Sequence, residues 1–322
     1  MLSVIIPFAQ EHPQLAFTVQ SIYNELTRAQ RYSDDLEFEI VVIDNHCLEL
    51  ENQMRAAGHK PDGGSEYMAS LAKDRDWLQY FQYNKKLSHW QAKNLGVFAS
   101  RGDILFFCDA HCVPSINTLA PMHMFYSLNW QDLHGTLHLP LSYMLEKPGR
   151  ELIYKMVNYP EHAVYHYSFT KYRYNEGICY TVPAMSTCGM MMHRSIYDYL
   201  GGWPTELGIY GGGENFINFT LGVMGYNKWI FPTEPLYHYA APRGYSWNYD
   251  DYHRNRAIAT MMFGSRELSE KYLQNIRGHE IQKRMLIMDV LGNEETLIHA
   301  QSLWKKHTMT IDEWSEQWKE SV

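Results

Sequence analysis

The sequence predicts an α/β fold, a mostly parallel sheet flanked by helices, with a helical C-terminal extension. Three observations lead there. Short apolar runs recur at residues 2–6, 38–43 and 104–108, without the alternation of a half-exposed strand, which is how strands buried on both faces read. Segments of helical period separate them: Leu15, Val19, Ile22 and Leu26 in the first, residues 90–99 in the second. Beyond residue 245 the pattern is helical. Strand–helix alternation of this kind gives a parallel sheet whose ligand sits at the carboxyl edge.

Residues 2–6 make the first strand, stopped by Pro7, and 38–43 the second, ending in Asp44-Asn45. Residues 48–76 are polar and charged, with Gly63-Gly64 marking a loop. A further strand fits 77–83, and Gly102 breaks the helix of 90–99 just before the strand that leads to Asp109. Asp44 and Asp109 thus share the carboxyl edge. Between 115 and 180 the pattern is interrupted by Pro140, Pro148 and Pro160. The tyrosine-rich run from Tyr165 to Tyr180 fits mobile loops or an antiparallel flap. Gly211-Gly212-Gly213 lets the backbone approach a ligand and puts Glu214 at a helix start, where the dipole favours a carboxylate. Residues 229–231 form a strand, followed by Leu236-Tyr237-His238-Tyr239, and 293–322 a polar helical tail. The expected division is a domain over 1–245, with halves 1–112 and 113–245, and an extension over 246–322.

Composition narrows the function classes. At 322 residues and 45% hydrophobic content a large core is available, and a formal charge of −8 argues against a broadly basic nucleic-acid surface. Five cysteines without regular spacing suit a reducing compartment better than a disulfide framework or zinc cluster. The N-terminus reads as a strand, not a signal peptide, and no window is long and apolar enough to span a membrane. The expectation is a soluble, cytoplasmic protein with no membrane and no obligate protein partner.

The chemistry concentrates at Asp109-Ala110-His111-Cys112. Residues two apart on a strand face the same side, so Asp109 and His111 can address one point. A hard oxygen beside a borderline nitrogen suits a divalent ion such as Mn2+. A strand-end turn reads the same way, so the pair needs further support.

That support comes from resemblance. The chain resembles nucleotide-sugar glycosyltransferases of the glycosyltransferase-A (Rossmann-like) fold, in the family 2 superfamily, and its centre is most similar to the polypeptide N-acetylgalactosaminyltransferases. Ser3-Val4-Ile5-Ile6-Pro7 looks like the opening strand, and Glu39-Ile40-Val41-Val42-Ile43-Asp44-Asn45 the second. Ala92-Lys93-Asn94-Leu95-Gly96 resembles the segment before the metal motif, with Lys for the usual Arg. Asp109-Ala110-His111-Cys112 matches the Asp-x-His-Cys variant, and Gly212-Gly213-Glu214-Asn215 the branch's Gly-Gly-Glu-Asn. The likeness runs from residue 2 to about 260 and is poor over 115–180, where acceptor contacts are expected. Animal members carry a membrane anchor and a lectin module. This sequence is expected to have neither, so their acceptor preferences do not carry over.

The resemblance implies a metal-dependent transferase that uses a UDP-sugar and Mn2+ or Mg2+. Asp109, His111 and His238 would hold the ion, although a lone His238 among tyrosines also reads as a core residue. Pro7, Asp44, Lys93, Asn94 and Arg243 would bind the donor, in the nucleotide-binding half 1–112 apart from Arg243; the other half, 113–245, would take the acceptor. Asp44 also suits a strand-end cap, Lys93 and Asn94 a solvent-facing helix, and Arg243 a plain surface arginine. Glu214 and Asn215 join Asp109 as catalytic candidates. Inverting relatives place a carboxylate base where Asn215 stands, and an amide takes no proton at neutral pH. The implied outcome is retention, with Glu214 orienting the donor sugar or the acceptor by hydrogen bonding and not acting as base; a helix-capping Glu beside an exposed Asn is the bland alternative. Trp203, Tyr210 and Trp247 rank first as sugar or acceptor contacts. Two other readings stand: the same chemistry on a hydroxymethylated base of DNA (phage-type DNA glycosyltransferase), with Arg254 and Arg256 on the backbone, and a non-catalytic nucleotide-sugar binder.

Overall fold

The computed structural model describes residues 1–30, 36–143, 151–172, 177–239 and 245–319. In chain order its strands are β1 (Leu2–Phe8), β2 (Phe38–Asp44), β3 (Leu78–Gln82), β4 (Ile104–Phe107), β5 (Cys112–Pro114), β6 (Gly135–His138), β7 (Leu141–Ser142), β8 (Glu151–Tyr159), β9 (Val164–Lys171), β10 (Tyr180–Thr181), β11 (Met190–His193), β12 (Asn227–Ile230) and β13 (Leu236–His238). The helices are α1 (Gln14–Gln30), α2 (Leu48–Ala57), α3 (Gly64–Lys73), α4 (His89–Ala99), α5 (Leu119–Leu133), α6 (Arg194–Leu200), α7 (Gly213–Val223), α8 (Tyr249–Phe263), α9 (Arg266–Asn275), α10 (Glu280–Leu291), α11 (Glu294–Trp304) and α12 (Ile311–Glu316).

Eight strands form the main sheet in the order β10-β12-β6-β11-β4-β1-β2-β3. The pairs β1–β2, β1–β4, β2–β3 and β6–β12 are parallel, while β11 and β10 run antiparallel to their neighbours. The apolar runs are buried on both faces, as β1 and β4 show along their whole length. Helix α1 turns Leu15, Val19, Ile22 and Leu26 inward. A second sheet, β5-β13-β7-β8-β9, leans over the carboxyl edge of the first and ends in the antiparallel hairpin β8–β9.

Two expectations change. Strand β1 does not stop at Pro7 but runs through it to Phe8. Ile5 accepts from Cys108 on the β4 side and Phe8 accepts from Asn45 on the β2 side, so Pro7, two residues on from Ile5, faces the β4 side beyond the end of β4. No ladder bond is lost there. Residues 48–76, read only as a polar, charged stretch with a loop at Gly63-Gly64, contain α2 and α3. Their inward stripes are sparse, Leu50 and Met54 on one and Met68 on the other, too thin to read as a helical period. The Gly63-Gly64 pair is where α3 begins, and Asp62 accepts from the Gly64 amide.

Helices α8 and α12 pack on α7, with Trp314 of α12 lying on Gly222, and α9, α10 and α11 pack in turn on α8. Among the described residues no helix is long and apolar enough to cross a membrane. All five cysteines are free thiols.

Candidate active site

The second sheet brings the metal-type residues together. Antiparallel pairing of β13 with β5 puts His238 opposite Cys112, and Tyr239 donates to the His111 carbonyl. The Nε2 atoms of His111 and His238 consequently lie 3.2 Å apart, and His238 Nε2 lies 3.6 Å from Asp109 Oδ2. Ligand atoms of Asp109, His111 and His238 all fall within 4.8 Å of one another. Two imidazole nitrogens facing each other beside a carboxylate form an O,N,N donor set that fits Mn2+ or a similar divalent ion. Burial would raise the Asp109 pKa, but Lys93, His238 and His111 together hold it well below the usual carboxylate range. Burial likewise lowers that of His238, and Asp109 more than reverses the shift.

Glu11 completes this group and was not anticipated from the sequence. Its Oε1 lies 3.8 Å from His111 Nδ1, and its Oε2 accepts from the Ala9 amide at 2.7 Å. A carboxylate behind the far nitrogen of a ligating imidazole fixes its tautomer and orientation. Burial, with Asp109 and Asp62 nearby, raises Glu11 to about 7.

The glycine run sets the opposite wall. Gly212 adopts φ +76°, and a Cβ there would lie 2.2 Å from the Asn255 carbonyl; at Gly213 it would lie 2.2 Å from the Trp90 ring. Only bare backbone fits, and α7 therefore starts hard against α4 and α8. Glu214 projects into the cavity with Oε1 accepting from Ser186 Oγ (2.8 Å) and the Thr187 amide (3.2 Å), and Oε2 from the Tyr167 hydroxyl. Asn215 is buried, its amide donating to the Tyr165 carbonyl at 3.0 Å.

A cavity of about 610 Å3 joins these walls. Pro7, Lys93, Asp109, His111, His238, Glu214 and Asn215 all line it. Lys93 is 1% exposed and is not on a solvent face: its Nζ lies 3.4 Å from Asp109 and 3.1 Å from the Thr187 hydroxyl, over the Trp90 ring. Two expected donor-binding residues are not brought there. Asp44 is fully buried, its oxygens taken by the His46 amide and the Tyr80 hydroxyl; it acts as the strand-end cap, and the adjacent Asn45 lines the cavity. The Asn94 side chain is engaged by Trp203, Gln91 and Tyr197 and fastens α4 to the loop after α6. Arg243 lies outside the described residues. Of the aromatic candidates, Tyr210 lines the cavity and Trp247, 43% exposed, stacks on it at 4.4 Å, whereas Trp203 is core, with its indole N–H on the Gly213 carbonyl. Tyr143, Tyr154, Tyr167 and Phe169 come from in or beside the hairpin β8–β9, the region where sequence patterns were least informative.

No family model and no curated protein sequence matches the chain. Solved structures do. A crystal structure of GalNAc-T7 with UDP, GalNAc and Mn2+ superposes with a TM-score of 0.63 at 17% identity, covering 94% of this chain and 56% of that one. S. aureus TarS, residues 1–349 with UDP-GlcNAc, superposes with a TM-score of 0.51 at 11% identity over 90% of this chain and 71% of that one. The chain thus spans a little over half the length of the GalNAc-T7 chain. The likeness defines the fold: this is a glycosyltransferase-A architecture, a mixed α/β sheet flanked by helices.

Proposed function

We propose that this chain is a divalent-metal-dependent glycosyltransferase that moves a hexose, N-acetylgalactosamine or a related sugar, from a UDP-sugar to a hydroxyl acceptor with retention of configuration. One observation carries the reading: Asp109, His111 and His238 converge within 4.8 Å on the wall of a large cavity in a glycosyltransferase-A fold. The UDP and Mn2+ of the GalNAc-T7 structure and the UDP-GlcNAc of TarS support it.

When bound, the ion supplies Lewis-acid neutralisation of a departing diphosphate. The chain's own residues do the rest. Lys93 holds Asp109 and places a fixed positive charge on the same wall. Glu11 steadies His111 from behind. Glu214, with three donors already on its oxygens, keeps limited acceptor capacity for a sugar hydroxyl, which suits orientation better than proton abstraction. Asn215 spends its amide on the hairpin backbone and takes no proton, which favours retention over base-assisted inversion. Pro7, Ala9, Asn45 and Trp90 mark the donor end, and the tyrosines of the hairpin and α8 the acceptor end. The arginines invoked for a DNA acceptor are otherwise occupied: Arg254 pairs with Glu206 and Asp289, and Arg256 is buried on Tyr252.

A panel of UDP-sugars, with Mn2+ or with EDTA, scored for UDP release tests the reading. Release with one or a few donors, lost in EDTA and in Asp109→Ala, is the expected result. Tight UDP binding without release from any donor would instead make the chain a non-catalytic binder. The anomeric configuration of the product, read by NMR, decides retention.

A further inference from the structure

The segment that carries Asp109 and His111 carries a second set of ligands on its other side. In Cys108-Asp109-Ala110-His111-Cys112 the inner pair faces the cavity, with side chains 31% and 18% exposed. The outer pair, Cys108 and Cys112, is fully buried. Cys188, equally buried, joins them from the turn before β11. The three Sγ atoms lie within 4.8 Å of one another, and those of Cys112 and Cys188 are 3.1 Å apart.

Each cysteine is fixed separately. The Cys108 amide donates to the Ile5 carbonyl (3.1 Å), the Cys112 amide to the Thr18 hydroxyl (3.0 Å) and the Cys188 amide to the Ser186 hydroxyl (3.1 Å). Three elements distant in sequence thus hold three thiols at one point in the core, with no rearrangement needed to make them converge.

We propose that Cys108, Cys112 and Cys188 form a binding site for a soft, thiophilic d10 cation of the Cu+ or Cd2+ class, separate from the Asp109–His111–His238 site. Sulfur donors select soft cations, whereas the neighbouring carboxylate and imidazoles suit harder ones, so the two sites sort metals by chemistry. Three thiols supply a complete trigonal set; Zn2+ would require a fourth donor. Binding exchanges S–H bonds for S–metal bonds and releases the protons to solvent, with no change in oxidation state. A cation here ties the segment bearing Asp109 and His111 to the turn whose Ser186 and Thr187 hold Glu214 and Lys93. The two metal sites are thereby mechanically coupled. The inference does not depend on the transferase reading.

The test titrates full-length, reduced protein with Cd2+ under anaerobic conditions, with excess Mn2+ present to occupy the harder ligands. Sulfur-to-cadmium charge-transfer absorption is expected to saturate at one equivalent. Cys112→Ser and Cys188→Ser should each lose that tight equivalent while Cys179→Ser keeps it. The 113Cd resonance of the wild type counts sulfur donors without any substitution, so a variant that fails to fold leaves the test intact; three sulfurs are required. Fewer than three, no saturating equivalent, or a titration unchanged in both serine variants would overturn the proposal. So would a thiol count of three in unfolded protein purified without reductant, because a Cys112–Cys188 disulfide would then occupy the site.

Discussion

Tyr167 reaches Glu214 from the hairpin, and its ring stacks on Tyr154 at 4.4 Å. Tyr167→Phe keeps the stack and removes one of the donors that aim Glu214. Hydrogen bonds to charged groups are worth about 1.5–3 kcal/mol, so kcat is expected to fall by about 10- to 100-fold, with UDP affinity unchanged. An unaltered kcat would show that Glu214 needs no such anchor. Behind the proposed metal ligands, Glu11→Gln should weaken Mn2+ binding by about 10-fold in a calorimetric titration run above the Glu11 value of about 7, since it removes the carboxylate charge beside His111. These two residues also mark what sequence could not convey. Asp109 and His111 were legible because they stand two apart directly after a buried apolar run, although they sit in the turn between β4 and β5 and not on the strand the sequence predicted. The orienting tyrosine and Glu11 meet their partners only through sheet pairing and burial, and nothing in the order of residues announces that. Asp44 misled for a related reason: a strand-end aspartate reads as a ligand until its oxygens prove to be taken by Tyr80 and its own turn.

At the scale of elements, the start of α7 is the most sharply constrained. Gly213→Ala would drive a methyl into the buried Trp90 ring, which Trp203 and Lys93 hold in place. Overpacking of this kind costs about 1–3 kcal/mol, to be read as a lower urea midpoint, and the displaced Glu214 should cost activity beyond the loss of stability. Strand β12 offers a second test. It buries Lys228 to 2% exposure beneath the face of Trp314, and burial pulls the ammonium down to about 7. The unfolded chain keeps that proton up to about 10.5, so stability should rise between pH 7 and 10, and the full cost of a buried charge applies below 7. Lys228→Met should flatten that rise and add about 1–4 kcal/mol near pH 6; an equally steep rise in the variant would clear Lys228 of the effect. The elements legible in advance were those with dense apolar stripes, such as β1, β2, β4 and α1. Helices α2 and α3 escaped because one inward residue per turn is all they bury, and β8–β9 because its tyrosines serve core and cavity alike.

Over the whole molecule, histidine burial sets the response to acid. Burial is the main cause that draws His123, His166 and His253 to about 4 and His138 to about 3, with Arg256 adding to the shift at His166 and His253. All four should therefore be neutral in the folded protein at pH 5, while the unfolded chain protonates them below about 6.5. Unfolding then takes up protons as the pH falls, so stability is whole above about 6.5 and drains away towards 4. For His138, fully buried between the Thr136 hydroxyl and the Ser186 carbonyl, the slope approaches about 1.4 kcal/mol per pH unit. Glu11 and His238 work the other way, because their raised values favour the native state as each takes its proton, but they are two against these four. Urea midpoints measured in EDTA, to remove metal linkage, should fall steadily from pH 7 to pH 5. His138→Gln, which keeps a hydrogen-bonding side chain and cannot be protonated, should fall less steeply. A midpoint that stays level across that range would mean the imidazoles are hydrated in the native state, and the tight packing between the main sheet and the tyrosine hairpin would have to be looser than the fold implies.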